Sequence, residues 1–122
     1  MNLKKNSLHW FPVIFYLFLI FYLSSRSDVG VSHDKLAHIA AYSVMCVLFV
    51  WALCLHLKSL FPLIFCAIIL TTLYGMSDEY HQSFVPGRDS SIYDVYADFA
   101  GALIGALFYV LITRFSKYKS AN

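Results

Sequence analysis

The sequence predicts an all-α, polytopic membrane protein that folds as a four-transmembrane-helix bundle. Hydrophobic residues make up 60% of the 122-residue chain and charged residues only 13%, whereas a soluble domain has about 25% charged residues. The apolar residues form four long runs, and short polar segments separate them. A soluble protein of this composition would expose large apolar patches, so transmembrane helices are the better interpretation. The length predicts a single membrane domain, residues 1–122.

The four apolar runs define the predicted spans. They cover about residues 8–23, 37–57, 60–75 and 93–112, and each is near the length of about 17–25 residues that crosses a bilayer. The first and third runs are short, so we expect their helices to extend into polar flanks. Pro62 lies in the first turn of the third helix, where a missing N–H does no harm. The first run is predicted to stay in place as an anchor, because no small-residue cleavage site follows it.

The charges predict the orientation of the multi-pass chain in its membrane. Six basic residues lie on the side of the two chain ends, and three lie on the opposite side. The positive-inside rule therefore predicts that both termini are cytoplasmic. All seven acidic residues fall on the outer side or at its membrane boundary: Asp28, Asp34, Asp78, Glu79, Asp89, Asp94 and Asp98. Acidic residues contribute little to topology, so this asymmetry indicates a role in packing or function.

Polar residues of three predicted spans should converge at the outer boundary, because short connections place consecutive helices side by side and antiparallel. An acid inside a membrane segment is costly and generally faces the bundle interior or a wet cavity. Asp98 is the deepest acid, and His38 is the deepest ionisable group of the second span near this face. We therefore predict a polar pocket, open to the outside and lined by the second, third and fourth spans. Its candidate residues are Asp34, Lys35, His38, Tyr42, Asp78, Glu79, Gln82, Arg88, Asp94 and Asp98.

Helical phase groups these residues by face. One stripe of the second span carries Asp34, His38 and Tyr42. On the fourth span, Asp94 and Asp98 lie on the same face as Gly101 and Gly105. The two glycines form a small-xxx-small motif, which lets another helix approach closely, so we predict that they pack against a neighbouring helix.

Several candidates also have a purely structural interpretation. Asp34 fits the N-cap of the second span, and Ser91-x-x-Asp94 fits a capping box at the start of the fourth. Residues 85–88, Val-Pro-Gly-Arg, fit a β-turn with Pro second and Gly third. A polar clamp that only holds the helices together therefore stays open beside a functional pocket.

Three ordered motifs resemble the VanZ-like family. They are D-K-x-x-H-x-x-x-Y at Asp34 to Tyr42, D-E-x-x-Q-x-F-x-P-G-R at Asp78 to Arg88, and D-x-x-x-D-x-x-G-x-x-x-G at Asp94 to Gly105. The resemblance covers about residues 34–105. Members often carry Asn where this chain has Asp98, so the Asp adds a titratable group at that position.

The resemblance implies a small bacterial cell-envelope protein of the membrane, in a family whose founding member is associated with teicoplanin resistance. The first function hypothesis is a pocket that binds a lipid headgroup, a lipid-linked cell-wall precursor or an amphiphilic glycopeptide. In that pocket Arg88 and Lys35 would pair with phosphate. Such a protein would contribute to glycopeptide tolerance and have the lipid bilayer, but no nucleic acid, as a partner.

The second hypothesis is a membrane-embedded hydrolase or transferase acting on a lipid-linked substrate. His38 and the acids could hold a divalent cation, or serve as acid and base. The sequence shows no nucleophile at a recognisable spacing and no Cys/His metal spacing, so it assigns neither catalytic residues nor a metal site. Enzyme activity, a divalent cofactor and an oligomeric state all stay open. Transport is the third hypothesis. The ionisable groups of the spans lie near the outer membrane face, so a complete path across the bilayer would require an oligomer.

Overall fold

The computed structural model describes residues 3–27 and 35–120, and the regular structure of these residues is entirely α-helical. The helices are α1 (Leu3–Ser24), α2 (Lys35–Leu53), α3 (Leu60–Gln82) and α4 (Ile92–Ser120). Three helical segments are long and apolar enough to cross a membrane: Lys35–Leu53, Leu60–Gln82 and Ile92–Ser116. The apolar part of α1 is shorter, Leu8–Ser24. The all-helical class is therefore confirmed, whereas a bilayer crossing by α1 stays a prediction.

The third helix continues well beyond its apolar run. The predicted run ends near residue 75, but α3 extends to Gln82, which agrees with the prediction that this short run continues into its polar flank. The extra turns carry Asp78, Glu79 and Gln82, whose side chains are all buried. These residues face other helices and not bulk water. Hydrogen bonds from neighbouring residues to the Asp78 and Glu79 side chains allow this polar segment to stay helical.

The second helix ends earlier than its apolar run. The predicted span reaches about residue 57, but α2 ends at Leu53. The His56 amide donates to the Leu53 carbonyl at 2.9 Å, three residues back, and such tight bonds commonly close the last turn of a helix. Lys58 Nζ then donates to the Cys54 carbonyl at 3.2 Å. The apolar run thus finishes as a turn that leads into α3.

Helices α2, α3 and α4 pack on one another, and α1 packs against α2 and α3. The approach of α2 and α4 depends on two glycines. A Cβ atom on Gly101 would lie 2.5 Å from the carbonyl oxygen of Ile39, and one on Gly105 would meet the carbonyl oxygen of Ser43. The Ser43 hydroxyl also donates to the Gly101 carbonyl at 2.9 Å. The two helix backbones are therefore almost in direct contact.

Two tyrosine hydroxyls connect α1 to the other helices. Tyr16 donates to the Ala41 carbonyl of α2 at 3.0 Å, and Tyr74 of α3 donates to the Leu17 carbonyl of α1 at 2.6 Å. On its outer side α1 exposes large apolar residues such as Phe11. Exposed apolar residues also cover the other helices, as expected where lipid tails surround them.

The connection between α3 and α4 contains the β-turn predicted from the sequence. The Arg88 amide donates to the Val85 carbonyl at 3.1 Å, and Gly87 has a φ of +82°. A positive φ at the third position defines a type II turn, which favours Gly there. This turn directs Arg88 back towards the helix ends.

Replacing Gly87 with Ala should lower the free energy of unfolding by about 1 kcal/mol, because a left-handed conformation is unfavourable for a residue with a Cβ atom. There is room for the methyl group, since its nearest neighbour would be the Ser27 Cβ at 3.5 Å. Gly87→Asn is the matched control, because Asn tolerates this conformation better. Thermal unfolding in detergent measures both variants, and equal losses in Ala and Asn would contradict the explanation.

Candidate functional site

The polar residues meet at one end of the bundle, where α1 and α3 end and α2 and α4 begin. The central contact joins α2 to α4: His38 Nδ1 lies 2.8 Å from Asp98 Oδ1. The Asp98 side chain is completely buried and that of His38 is 14% exposed. Gly75 of α3 makes room for the carboxylate, because a Cβ atom there would lie 2.6 Å from Asp98 Oδ2. Three helices therefore define the position of this pair.

A second set of contacts runs from α2 to the α3–α4 connection. Asp78 Oδ2 accepts from the Tyr42 hydroxyl at 3.3 Å and from Gln82 Nε2 at 3.0 Å. Gln82 Oε1 in turn accepts from Arg88 Nη2 at 2.8 Å. Arg88 Nη1 reaches the carbonyl of Arg26 after the end of α1, at 3.3 Å. Gln82 thus connects the carboxylate of Asp78 to the guanidinium group of Arg88.

The start of α4 is held by an acid from α3. Ser91 Oγ accepts from the Tyr93 amide at 3.2 Å, as an N-cap residue does. The Ser91 amide donates to Glu79 Oε2 at 2.9 Å, so the reciprocal half of the capping box comes from Glu79 and not from Asp94. Asp94 is buried and lies 4.0 Å from Lys35 Nζ. This part of the cap is a contact between two helices, because Glu79 at the end of α3 lies close enough to accept from the Ser91 amide.

A cavity of about 260 Å³ lies beside these residues. Its lining comes from α1, α2, α3 and the following connection: Ile20, Leu23, Ser24, Ala37, His38, Ala41, Tyr42, Asp78, Gln82 and Arg88. We call it the α1–α2–α3 cavity. Its apolar walls are mainly supplied by α1 and α2, and α1 was not among the helices expected to line a pocket.

The candidate residues fall into two neighbouring groups. Those that line the α1–α2–α3 cavity are His38, Tyr42, Asp78, Gln82 and Arg88. The carboxylates of Glu79, Asp94 and Asp98 lie outside that lining, where α2, α3 and α4 meet; with His38 they form what we call the junction cluster. His38 belongs to both groups. Lys35 lies at the rim of the cluster through Asp94, and Asp34 lies outside the described residues.

Several buried polar atoms have no hydrogen-bond partner among the residues that the structure describes. They are Ser24 Oγ, Asp78 Oδ1, Glu79 Oε1, Arg88 Nε, Asp94 Oδ1 and Asp98 Oδ2. Buried polar groups almost always have a partner, and an exception calls for water, an ion or a ligand. In this part of the chain the exceptions all lie at the same end of the bundle, so a polar partner would be accommodated there.

The junction cluster has the composition of a cation site. His38, Glu79 and Asp98 each offer one ligand atom, and these atoms lie within 4.8 Å of one another. Each residue comes from a different helix, so the arrangement depends on the folded bundle. Sequence spacing alone did not identify this set as metal ligands.

Replacing Gln82 with Ala should lower the free energy of unfolding by about 1–3 kcal/mol, because the buried Asp78 carboxylate and the Arg88 guanidinium group each lose a hydrogen bond. Ser83→Ala is the matched control, since Ser83 is exposed and its hydroxyl donates to the Tyr80 carbonyl one turn back. Thermal unfolding of the two variants in detergent measures the difference. Similar melting temperatures would show that this network contributes little stability.

The apolar helices and the buried polar cluster define the class of protein. A helical chain with several apolar helices, and with buried acids at one end of the bundle among its described residues, is a multi-pass type of membrane protein. The family model VanZ/LLP1 matches residues 2–113 of the 122-residue chain. The chain belongs to the VanZ/LLP1 family, as its three motifs predicted. No curated protein and no solved structure matches the chain.

Proposed function

We propose that this protein binds the anionic headgroup of a membrane amphiphile in the α1–α2–α3 cavity. The observation that carries the proposal is the lining, which joins apolar residues such as Ile20 and Leu23 to the polar groups of Gln82 and Arg88. Ligand sites commonly combine apolar walls with a few placed polar groups. An occupant that is apolar at one end and charged at the other satisfies both parts.

The size of the cavity limits what enters it. Sites that enclose a drug-sized ligand have volumes of about 300–1,000 Å³, and this cavity measures about 260 Å³. It therefore suits a headgroup and the first carbons of a chain, while the remaining tail stays among the lipids. The exposed apolar surface of α1 borders the cavity and would contact that tail.

Arg88 supplies the charge that recognises an anion. Two of its nitrogens donate to Gln82 and to the Arg26 carbonyl, while its buried Nε has no hydrogen-bond partner among the described residues. A guanidinium group held in this way presents a fixed donor to a phosphate oxygen. Asp78 Oδ1 is a buried acceptor in the same lining and suits a hydroxyl or amide donor. Phosphate-linked sugars on a lipid, as in cell-wall precursors, carry both kinds of group.

The proposal includes a location. Lys58 and Arg114 belong to the end of the bundle opposite the cavity. With the excess of basic residues on that side, the positive-inside rule predicts cytoplasmic termini and a cavity at the outer face of a bacterial cytoplasmic membrane. All four helices would then cross the bilayer, α1 included.

A matched pair of lipids tests the proposal. Purified protein in detergent is titrated with a polyprenyl phosphate or with the uncharged polyprenol of equal length, and thermal unfolding is recorded. Ligand that binds only the folded state stabilises it, by about 2.7 kcal/mol at a hundred times Kd. We expect the phosphate, and not the alcohol, to raise the melting temperature. Equal shifts with both lipids would overturn the proposal.

Arg88→Gln should weaken binding of the polyprenyl phosphate at least about tenfold, because a hydrogen bond to a charged group contributes about 1.5–3 kcal/mol. Arg114→Gln is the matched control, since Arg114 is exposed on α4 and far along the helix from the cavity. Undiminished affinity in Arg88→Gln would remove the residue from the site.

Glycopeptide tolerance is the cellular consequence that the family suggests. Teicoplanin carries an acyl tail on a polar body, and that tail would lie against the exposed apolar surface of α1 beside the cavity. Expression of the protein in a susceptible bacterium should raise the inhibitory concentration of teicoplanin more than that of a glycopeptide without the tail. An Arg88→Gln variant present at equal abundance should lose the effect.

A membrane hydrolase or transferase is the second candidate, and the 2.8 Å contact of His38 with Asp98 favours it. A carboxylate that orients an imidazole is a common arrangement for a general base. Release of inorganic phosphate from a polyprenyl diphosphate is the assay. If the protein releases phosphate and His38→Gln abolishes that release, the function is catalysis and not binding alone. Stable binding of the lipid without phosphate release supports the first proposal.

A further inference from the structure

We infer that the junction cluster binds a divalent transition-metal cation through His38, Glu79 and Asp98. This site goes beyond the proposed amphiphile binding, because its ligands come from the α2–α3–α4 junction and two of them lie outside the α1–α2–α3 cavity. The inference depends on the geometry of the ligand atoms, on the unsatisfied oxygens and on the balance of charge.

The geometry needs only small adjustments. Metal–ligand bonds of about 2.1 Å place neighbouring octahedral ligands about 3.0 Å apart and tetrahedral ligands about 3.4 Å apart. His38 Nδ1 and Asp98 Oδ1 are already 2.8 Å apart. The ligand atoms of the three residues lie within 4.8 Å of one another, so side-chain movements of about 1 Å would complete the site. The cation would take the place of the hydrogen that joins His38 to Asp98.

The carboxylates have oxygens available for a cation. Asp98 Oδ2 and Glu79 Oε1 are buried and have no hydrogen-bond partner among the described residues. The side chains themselves are nearly inaccessible, with exposed fractions of 0% for Asp98 and 6% for Glu79. A buried carboxylate oxygen without a donor is strongly unfavourable. Each of the two acids therefore retains an acceptor that a metal ion would use.

The balance of charge favours a cation with more than one positive charge. Three buried carboxylates belong to the junction cluster, namely Glu79, Asp94 and Asp98. Among the described residues, His38 and Lys35 are the cationic side chains within 4.0 Å of these carboxylates, and the Lys35 side chain is 53% exposed. Buried charges in membrane helices are paired or bind an ion. A divalent cation would offset two of the negative charges at once.

The donor set selects the class of ion. Ca²⁺ takes six to eight oxygen ligands, and Mg²⁺ retains several waters. One imidazole nitrogen with two carboxylates suits Zn²⁺, Mn²⁺ or a related first-row ion better, because imidazole is a ligand that these ions accept readily. Three protein ligands leave at least one coordination position for water or for another molecule.

The test uses metal alone, so its outcome does not depend on amphiphile binding. Protein purified in detergent is stripped with a chelator and titrated with Zn²⁺ or Mn²⁺ by calorimetry, and bound metal is counted by elemental analysis. Co²⁺ provides a visible absorption band that reports nitrogen and oxygen ligands. We expect one equivalent per chain and a higher melting temperature. Absence of stoichiometric binding in the unaltered protein would overturn the inference.

Glu79→Gln is the decisive variant, because Gln still accepts the hydrogen bond from the Ser91 amide but is a poor metal ligand. Its affinity for metal should fall at least about tenfold, with the Co²⁺ band lost or shifted. Asp89→Asn is the matched control, since Asp89 is exposed in the α3–α4 connection. Asp98→Asn provides a second test if Glu79→Gln fails to fold. Unchanged affinity in a folded variant of either ligand would show that the metal binds elsewhere, and would overturn the assignment of the junction cluster as its site.

Discussion

Gly101→Val should reduce the free energy of unfolding by about 3 kcal/mol or more, at the upper end of the range for overpacking. The added carbons have no space, because even a single Cβ atom would lie 2.5 Å from the Ile39 carbonyl oxygen and 3.1 Å from the Ser43 amide nitrogen. Both neighbours are helix backbone, which cannot move aside as a flexible side chain does. The helices would have to separate, with loss of the bond from the Ser43 hydroxyl to the Gly101 carbonyl.

Abundance in the membrane and thermal unfolding in detergent measure this effect. Ala40→Val is the matched control, because Ala40 is exposed on α2 and has space for a larger side chain. A Gly101→Val protein as stable as the Ala40→Val protein would show that α2 and α4 do not need their close approach.

Asp98→Leu should lower the free energy of unfolding by about 3–5 kcal/mol, the range for removing one partner of a buried ion pair. The substitution takes away the 2.8 Å contact of His38. Asp98→Asn is the near-isosteric control, because its amide oxygen can still accept from the imidazole. We expect it to be clearly more stable than Asp98→Leu in thermal unfolding with chelator present, which removes any contribution from metal.

The stability of the double variant His38→Leu/Asp98→Leu shows whether His38 and Asp98 form an isolated pair or belong to a larger electrostatic cluster. Apolar replacement of both members of an isolated buried pair is often neutral or stabilising. Here the replacement would leave the buried Glu79 and Asp94 with Lys35 as the nearby cation. We therefore expect the double variant to stay less stable than the unaltered protein, and full recovery would contradict the idea of a shared cluster.

The four helices could be predicted from composition, because an apolar run long enough to cross a membrane has to satisfy its own backbone hydrogen bonds, as a helix does. Their ends did not follow in the same way. The end of α2 depends on a change of hydrogen bonding near His56, and the length of α3 depends on partners for Asp78 and Gln82 that come from α2 and from the α3–α4 connection. Such tertiary contacts leave no periodic signal in a single sequence.

The convergence of polar side chains followed from helical phase and short connections, but several of its details did not. Gly75 interrupts an apolar run without any motif, and only the structure shows that its missing Cβ atom accommodates Asp98. Ser91 had two acids within reach, and the local pattern favoured Asp94 over the more distant Glu79. The role of Ile20 and Leu23 as a cavity wall was hidden because all apolar residues of α1 look equally suited to face lipid.

A dense apolar core lies next to the α1–α2–α3 cavity, on the side towards the opposite end of the bundle. From Tyr42 towards the opposite end, buried Met45, Phe49 and Val50 of α2 lie in one apolar core with residues of α3 and α4, and the glycines of α4 bring its backbone against α2. Among the described residues, this core lies between the α1–α2–α3 cavity and the opposite end of the bundle. An occupant of the proposed site would therefore leave through the opening by which it entered, and would return to the leaflet from which it came.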